Sequence, residues 1–289
     1  MTRYSNSRIG SFEQCRLKYK FQYIDRVKVK YPDTVETFMG SRVHDALEGV
    51  YAHVMKGDVP TLENIISDYS DAWGKKWTDS VIIAKAGMRM EDYLKTGEKC
   101  LSEYYKNYAP FDSEVTLDLE TNDLLKLPDG NEWYVRIDRL AKRGDTLIVC
   151  DYKTSSRMIN QASADKDRQL GMYGKWAHEK FPEAKEIELR WEMLKFASAV
   201  TSKRTEDELA THVRTVVSKI KEIEGCIEFP KCEGPLCNYC LFKDVCAQYS
   251  PPKGGHDIAI LTQTKPPMYQ KNRVHPQRGS RQATLSTFF

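Results

Sequence analysis

Two sets of residues in this 289-residue chain have the types and spacing to do chemistry. One is a C-x2-C-x5-C run, Cys237-Asn-Tyr-Cys240-Leu-Phe-Lys-Asp-Val-Cys246. A two-residue gap lets two thiolates face one metal centre from a tight turn, and clustered soft ligands select zinc or iron–sulfur. The spacing leaves the fourth ligand open. Cys232 would complete a local tetrahedral zinc set. Cys15, far upstream, would instead staple the start of the chain to its C-terminal part. Either arrangement is a clasp and not a catalyst. Cys100, Cys150 and Cys226 read as small buried apolar side chains.

The other set is acidic. Asp138 lies in Tyr134-Val-Arg-Ile-Asp138-Arg, and Asp151-Tyr152-Lys153-Thr154 follows on what reads as the next strand. Period-two geometry puts Asp151 and Lys153 on one face of a sheet, where Asp138 on the adjacent strand can meet them. Two carboxylates suit Mg²⁺ or Mn²⁺ through oxygen, and the metal would lower the pKa of a bound water and offset phosphoryl charge. The lysine would orient that water or stabilise developing charge. Taken alone, a D-x-K pair is more often a cross-strand ion pair. His44, in Gly40-Ser-Arg-Val-His44-Asp-Ala-Leu-Glu48, is a further candidate ligand, and Gln169 and Tyr173 share one helical face.

The elements that must position these residues follow from periodicity. Residues 4–24 read as helix with Ser5 or Ser7 as cap; 40–53 and 61–108 are helical; 115–119 is a strand; 133–153 is a hairpin turning at 143–145. Residues 162–180 return to helix, 187–196 is a strand with Ile187, Leu189, Trp191 and Met193 on one face, and 205–223 is a helix. This order implies an α/β fold with a mixed sheet flanked by helices. Arg16 to Tyr31 interleaves six cations with Tyr19, Phe21, Tyr23 and Tyr31. That pattern suits either a nucleic-acid surface or a helix with one packed aromatic face and one solvated basic face.

Composition narrows the function classes. The longest apolar runs are four or five residues, too short to span a membrane, and the N-terminus lacks an apolar leader, so the expectation is a protein that is not secreted, cytoplasmic or nuclear. The net charge of +3 hides an asymmetry: residues 251–289 carry six Lys/Arg and one acid, and the remaining 250 carry 38 basic and 40 acidic side chains. The body is therefore no general polyanion binder. Five of the twelve prolines fall after position 250, which marks 251–289 as a basic tail without a core of its own.

In chain order the motifs resemble the RecB-like exonucleases of the PD-(D/E)XK superfamily, in the iron–sulfur branch that includes CRISPR-associated exonucleases and AddB-like nucleases. The matching stretches are Ser11-Phe-Glu-Gln-Cys15-Arg-Leu-Lys-Tyr-Lys-Phe, Gly40 to Glu48, Ile137-Asp138-Arg139, Asp151-Tyr-Lys153-Thr, Gln169-Leu-Gly-Met-Tyr173, and the three terminal cysteines. The resemblance implies a restriction-endonuclease-like core over residues 1–250 with a helical insertion at about 60–110 and a C-terminal lobe clasped by a [4Fe-4S] cluster on Cys15, Cys237, Cys240 and Cys246. It implies that His44, Asp138, Asp151 and the Tyr152 carbonyl bind the catalytic metal, that Lys153 positions the water, and that Gln169 and Tyr173 arrange the site and its DNA. The reaction would be hydrolysis of DNA phosphodiesters, from an end of a single strand. Arg16 replaces a common proline, and Val135 and Arg136 stand where a glycine is usual.

The chain ends Gln282-Ala-Thr-Leu285-Ser-Thr-Phe288-Phe289. Q-x-x-L-x-x-F-F suits one helical turn inserting Leu285, Phe288 and Phe289 into an apolar pocket, with Gln282 hydrogen-bonding beside it. It looks like the motif that binds the PCNA sliding clamp, with 251–289 as tether. The leading expectation is a clamp-tethered exonuclease of repair or replication. Its rivals are a CRISPR spacer-acquisition nuclease, a non-catalytic DNA-binding clamp adaptor and a zinc-ribbon DNA-binding module.

Overall fold

The computed structural model describes residues 1–29 and 33–249. Lys30, Tyr31 and the clamp-like Gln282, Leu285, Phe288 and Phe289 lie outside the described residues. A six-stranded mixed sheet organises the chain: β1 (Arg3–Tyr4), β4 (Val115–Lys126), β5 (Glu132–Arg143), β6 (Thr146–Lys153), β7 (Glu186–Met193) and β8 (Ser198–Ser202). β5 is the pivot. β4 runs antiparallel along one of its edges, and β1 and β6 take separate stretches of the other. β6 and β7 are parallel, and β8 closes the sheet antiparallel to β7. β6 is a near-continuous apolar run, Thr-Leu-Ile-Val-Cys, buried on both faces as a central strand requires.

Each face of the sheet carries its own core. On one pack α1 (Asn6–Gln14), α7 (Arg168–Lys180) and α8 (Glu206–Glu224), around Trp133, Ile137, Val149, Leu189 and Ile220. On the other pack α3 (Val35–Val54), α4 (Leu62–Lys76) and α5 (Met90–Tyr108), around Val43, Leu47, Trp73, Leu101 and Ile148. Gly97 admits the tightest helix contact, because a Cβ there would overlap the Tyr69 hydroxyl. No helix among the described residues is long and apolar enough to cross a membrane.

Several expected elements change. The helix over 4–24 is interrupted: Ser5 caps α1, accepting from the Arg8 N–H at 3.2 Å, but Cys15 is extended and restarts the helix as α2 (Arg16–Tyr19), followed by a π turn at Lys20–Ile24. The helix over 61–108 is split by residues 77–89, where β3 (Val81–Ile82) pairs with β2 (Asp33–Thr34). The 162–180 helix breaks after α6 (Gln161–Ala164) because the Asp167 carboxylate caps a new N-terminus, accepting from the Leu170 N–H at 2.8 Å. β1 and β8, of two and five residues, carried too little pattern to find. β7 was expected to show one apolar face; both faces are buried, with Glu188, Arg190 and Glu192 in an ionic network.

The aromatic–basic stretch resolves in favour of packing. Tyr19 and Phe21 are buried, Lys20 pairs with Asp25 at 2.8 Å, and Arg16 pairs with Glu222 at 3.1 Å. Those two rings are core, closed to a nucleotide base. Cys100 and Cys150 are buried as expected, but Cys226 is only partly so, with its Sγ donating to the Glu228 carbonyl at 3.0 Å.

Candidate active site

The site forms where two strands part. β5 and β6 pair from Arg143↔Thr146 to Arg139↔Cys150 and then separate. Asp138 is the next residue on β5. Its Oδ2 accepts the Tyr152 N–H at 2.7 Å, so a carboxylate takes over from a ladder carbonyl and holds the fork open. A backbone carbonyl in the same fork, that of Arg136, accepts from the Tyr173 hydroxyl.

His44 reaches Asp138 from α3, with Nδ1 3.3 Å from Oδ1. Gly40, one turn earlier, sets that approach, because a Cβ there would stand 2.9 Å from the Thr154 Oγ1 just beyond β6. The imidazole also meets the Tyr152 ring edge-on, with centroids 5.6 Å apart. Asp151 and Lys153 share a face, as their spacing requires, with Oδ2 and Nζ 2.5 Å apart. α7 supplies the rest: the Gln169 amide oxygen accepts from Lys153 Nζ at 2.9 Å, and its Nε2 lies 3.1 Å from Asp151 Oδ1 and 2.7 Å from the Tyr173 hydroxyl. Gln169 thus orients the lysine and the carboxylate together. The Lys153 ammonium also sits 5.4 Å from the Trp191 ring centroid.

A residue outside the sequence motifs, Glu120, stands beside this group. β4 and β5 pair Leu119↔Arg139 and Thr121↔Ile137, which sets Glu120 opposite Asp138. Its φ of 49° is a left-handed conformation in mid-strand, and strain of this kind collects at functional sites. Ligating atoms of His44, Glu120 and Asp138 lie within 4.8 Å of one another, a group that could hold a metal ion. Asp151 stands outside that trio, engaged by Lys153. Tyr152 contributes its N–H to Asp138, and its ring is buried. No periodicity marks Glu120; only the strand register does.

The electrostatics are those of crowded carboxylates. Burial raises the Asp151 pKa and Asp138 adds to the rise, which Lys153 only partly offsets. Asp138 goes the other way: burial would raise it, but the His44 hydrogen bond, the Tyr152 N–H and Lys153 lower it. Burial disfavours protonated His44, yet Asp138, Asp151 and Glu120 together raise its pKa. Lys153, whose burial also opposes its charge, is held protonated by Asp151 and Asp138. A divalent cation would relieve this crowding.

Three of the cysteines share one small apolar cluster. Cys15, Cys240 and Cys246 pack around Leu17, Phe21 and Phe242. Cys15 Sγ accepts the Cys232 N–H at 3.4 Å, and Cys237 Sγ is 3.7 Å from the Cys232 carbonyl. Burial, then Cys15 and Cys240, push the Cys246 thiol up. Among the described residues no three cysteine sulfurs gather within 4.8 Å of one another.

Solved structures offer only distant likenesses. The chain is similar to a candidate exonuclease from Eubacterium rectale, at 13% identity over 88% of this chain and 90% of that one, with a TM-score of 0.47. It is similar to SSO0001 at 17% identity over 54% of this chain and 70% of that one, with a TM-score of 0.31. No curated protein matches it. The profile of the PD-(D/E)XK nuclease superfamily, however, matches residues 3–247, which span the forked strands and every site residue above, and the chain belongs to that superfamily.

Proposed function

We propose that the protein is a metal-dependent DNA exonuclease that hydrolyses phosphodiesters at single-strand ends and is tethered to a PCNA-type sliding clamp. The observation that carries the reading is the fork itself: His44 on Asp138 at 3.3 Å beside the Asp151–Lys153 pair at 2.5 Å. Asp138, with His44, Asp151, Glu120 and the Tyr152 carbonyl, would hold a hard cation, which when bound would acidify a water and offset phosphoryl charge. Lys153, oriented by Gln169, holds that water or the developing negative charge. Tyr173 ties the fork together through the Arg136 carbonyl.

Cys15, Cys237, Cys240 and Cys246 are proposed to bind a [4Fe-4S] cluster that clasps the ends of the domain. The shared packing of Cys15, Cys240 and Cys246 supports it. Iron and acid-labile sulfide in an anaerobic preparation would bear this out, and stoichiometric zinc would replace it with a zinc site. Residues 251–289 are the proposed tether, with Gln282, Leu285, Phe288 and Phe289 in the clamp pocket; deleting 282–289 should abolish clamp binding and spare cleavage of free DNA.

The primary experiment uses end-labelled single strands with Mg²⁺, Mn²⁺ or EDTA. Metal-dependent loss of the terminal nucleotide that Asp151→Ala abolishes is the expected result. Equal inertness of wild type and variant would turn the reading toward a DNA-binding adaptor.

A further inference from the structure

The strand that carries Asp138 also carries a surface leading away from it. β1 pairs with β5 at 132–133 and β6 rejoins it at 139, so between them β5 is laddered only to β4 among the described residues. Trp133, Val135 and Ile137 turn into the core. Tyr134, Arg136 and Asp138 therefore share the opposite face, and Tyr134 and Arg136 are exposed on it. The face runs outward from the candidate metal centre as carboxylate, cation, aromatic.

Both outer side chains are held in place. Glu120 Oε2 accepts from Arg136 Nε at 3.0 Å and from its NH2 at 2.7 Å, which spends one edge of the guanidinium. The side chain is still 58% exposed, so the other edge is accessible to an anion. The Tyr134 hydroxyl donates to Asn122 Oδ1 at 2.5 Å from the adjacent strand, which anchors the ring at its tip. A surface ion pair would account for Arg136 alone. It does not account for a pinned, exposed tyrosine in line with it and with the metal centre.

The spacing fits one occupant. Same-face residues on a strand repeat roughly every 6.7 Å, which puts Arg136 one step and Tyr134 two steps from Asp138. Stacked nucleotides in a duplex rise about 3.4 Å each. A step nearly twice as long matches an extended, unstacked strand whose bases are free to stack on an aromatic face.

We propose that Arg136 and Tyr134 are the substrate track of this site: Arg136 binds the phosphate next to the one at the metal centre, and Tyr134 stacks on a base beyond it. The proposal rests on the nuclease reading and adds to it the residues that select an unpaired strand.

The test measures binding of a fluorescent single-stranded 12-mer, and of its duplex, to the full-length protein in EDTA across a salt series. Arg136→Ala should lower the slope of log affinity against log salt by about 0.7, and Arg136→Lys should restore it. Tyr134→Ala should weaken single-strand binding roughly 5- to 100-fold with the slope unchanged, while Tyr134→Phe stays close to wild type. Duplex binding should respond less to Tyr134→Ala. Under Mn²⁺, Tyr134→Ala should raise KM more than it lowers kcat. Both positions are exposed, and a melting curve checks each variant's fold. If both alanine variants bind and salt-titrate as wild type while the wild type still cuts, the track is wrong and the nuclease reading survives. If the wild type neither binds nor cuts any strand, both fall.

Discussion

Two clusters of charge lie in the sheet layer within a few residues of each other, and they are built to opposite ends. Behind β5 and β7, Glu114, Glu188 and Glu192 face Arg139, Arg143 and Arg190, three acids against three guanidiniums. Arg139 reaches Glu114 at 2.7 Å, Arg190 reaches Glu114 at 2.8 Å and Glu188 at 2.6 Å, and Tyr108 donates to Glu192 at 2.7 Å. Arg139 also lies 4.0 Å from the Tyr51 ring centroid and is only 1% exposed. Every acid there has a cation, and of the three guanidiniums only that of Arg143 reaches solvent. At the fork, Asp138, Asp151 and Glu120 share Lys153 and Arg136, and His44 and Lys153 keep about a quarter of their surface in solvent. A balanced buried network holds two elements together; an unbalanced, half-open one is set up to receive something positive and something anionic after it.

That contrast can be broken from either side. The largest effect expected is on turnover: Asp151→Asn should lower cleavage of labelled single strands by more than roughly a thousandfold, while its melting temperature holds or rises because a buried like charge beside Asp138 has gone. A parallel loss of melting temperature would make the fork as structural as its neighbour. Glu114→Ala should do the reverse, costing about 3–5 kcal/mol in denaturant unfolding by leaving the buried Arg139 guanidinium without its carboxylate and taking one of the acids from Arg190. Activity should follow the folded fraction and no more.

Glu120→Gln comes next. If the trio of His44, Glu120 and Asp138 holds the ion, Mn²⁺ affinity in a calorimetric titration should fall about 10- to 100-fold with little change in stability. Unchanged affinity would hand Glu120 to Arg136 alone. The smallest effect concerns pH. Burial would raise the Glu114 pKa, but Arg139 and Arg190 outweigh it, so the folded value is below the ordinary 4.5. The stability Glu114 contributes is therefore present above about pH 4.5 and is lost as pH falls through the lower folded value. Glu192 is shifted upward by burial and works against this, so the comparison is between wild type and Glu114→Gln, whose acid limb should be flatter in a series of denaturant titrations.

Much of the framework is legible in the sequence. The hairpin that carries Asp138, Asp151 and Lys153 is local, and a period of two places Asp151 and Lys153 together whatever else happens. The apolar stripes of α4 and α5 and the cap at Ser5 are equally local. The short strands β1 and β8 were not legible, because two and five residues carry almost no pattern and depend on the edges they meet. The break at Cys15 was hidden for a related reason. Its backbone is extended, and its sulfur then accepts the Lys18 N–H at 3.5 Å as the cap of the next turn, an arrangement for which Ser or Asp is the usual sign.

By itself the chain of residues determined which groups exist to do chemistry and which of them must share a strand or helix face, since both follow from composition and from periods of 2.0 and 3.6. Only the tertiary structure decided which groups meet across elements. His44 touches Asp138 because Gly40 lets α3 close on Thr154, Glu120 joins them because of the β4–β5 register and a left-handed residue, and Arg136 and Tyr134 face outward because β6 leaves β5 at Arg139. Contacts between elements depend on distances that no local repeat encodes, because they are set by how closely backbones can approach and by where one strand stops pairing with the next.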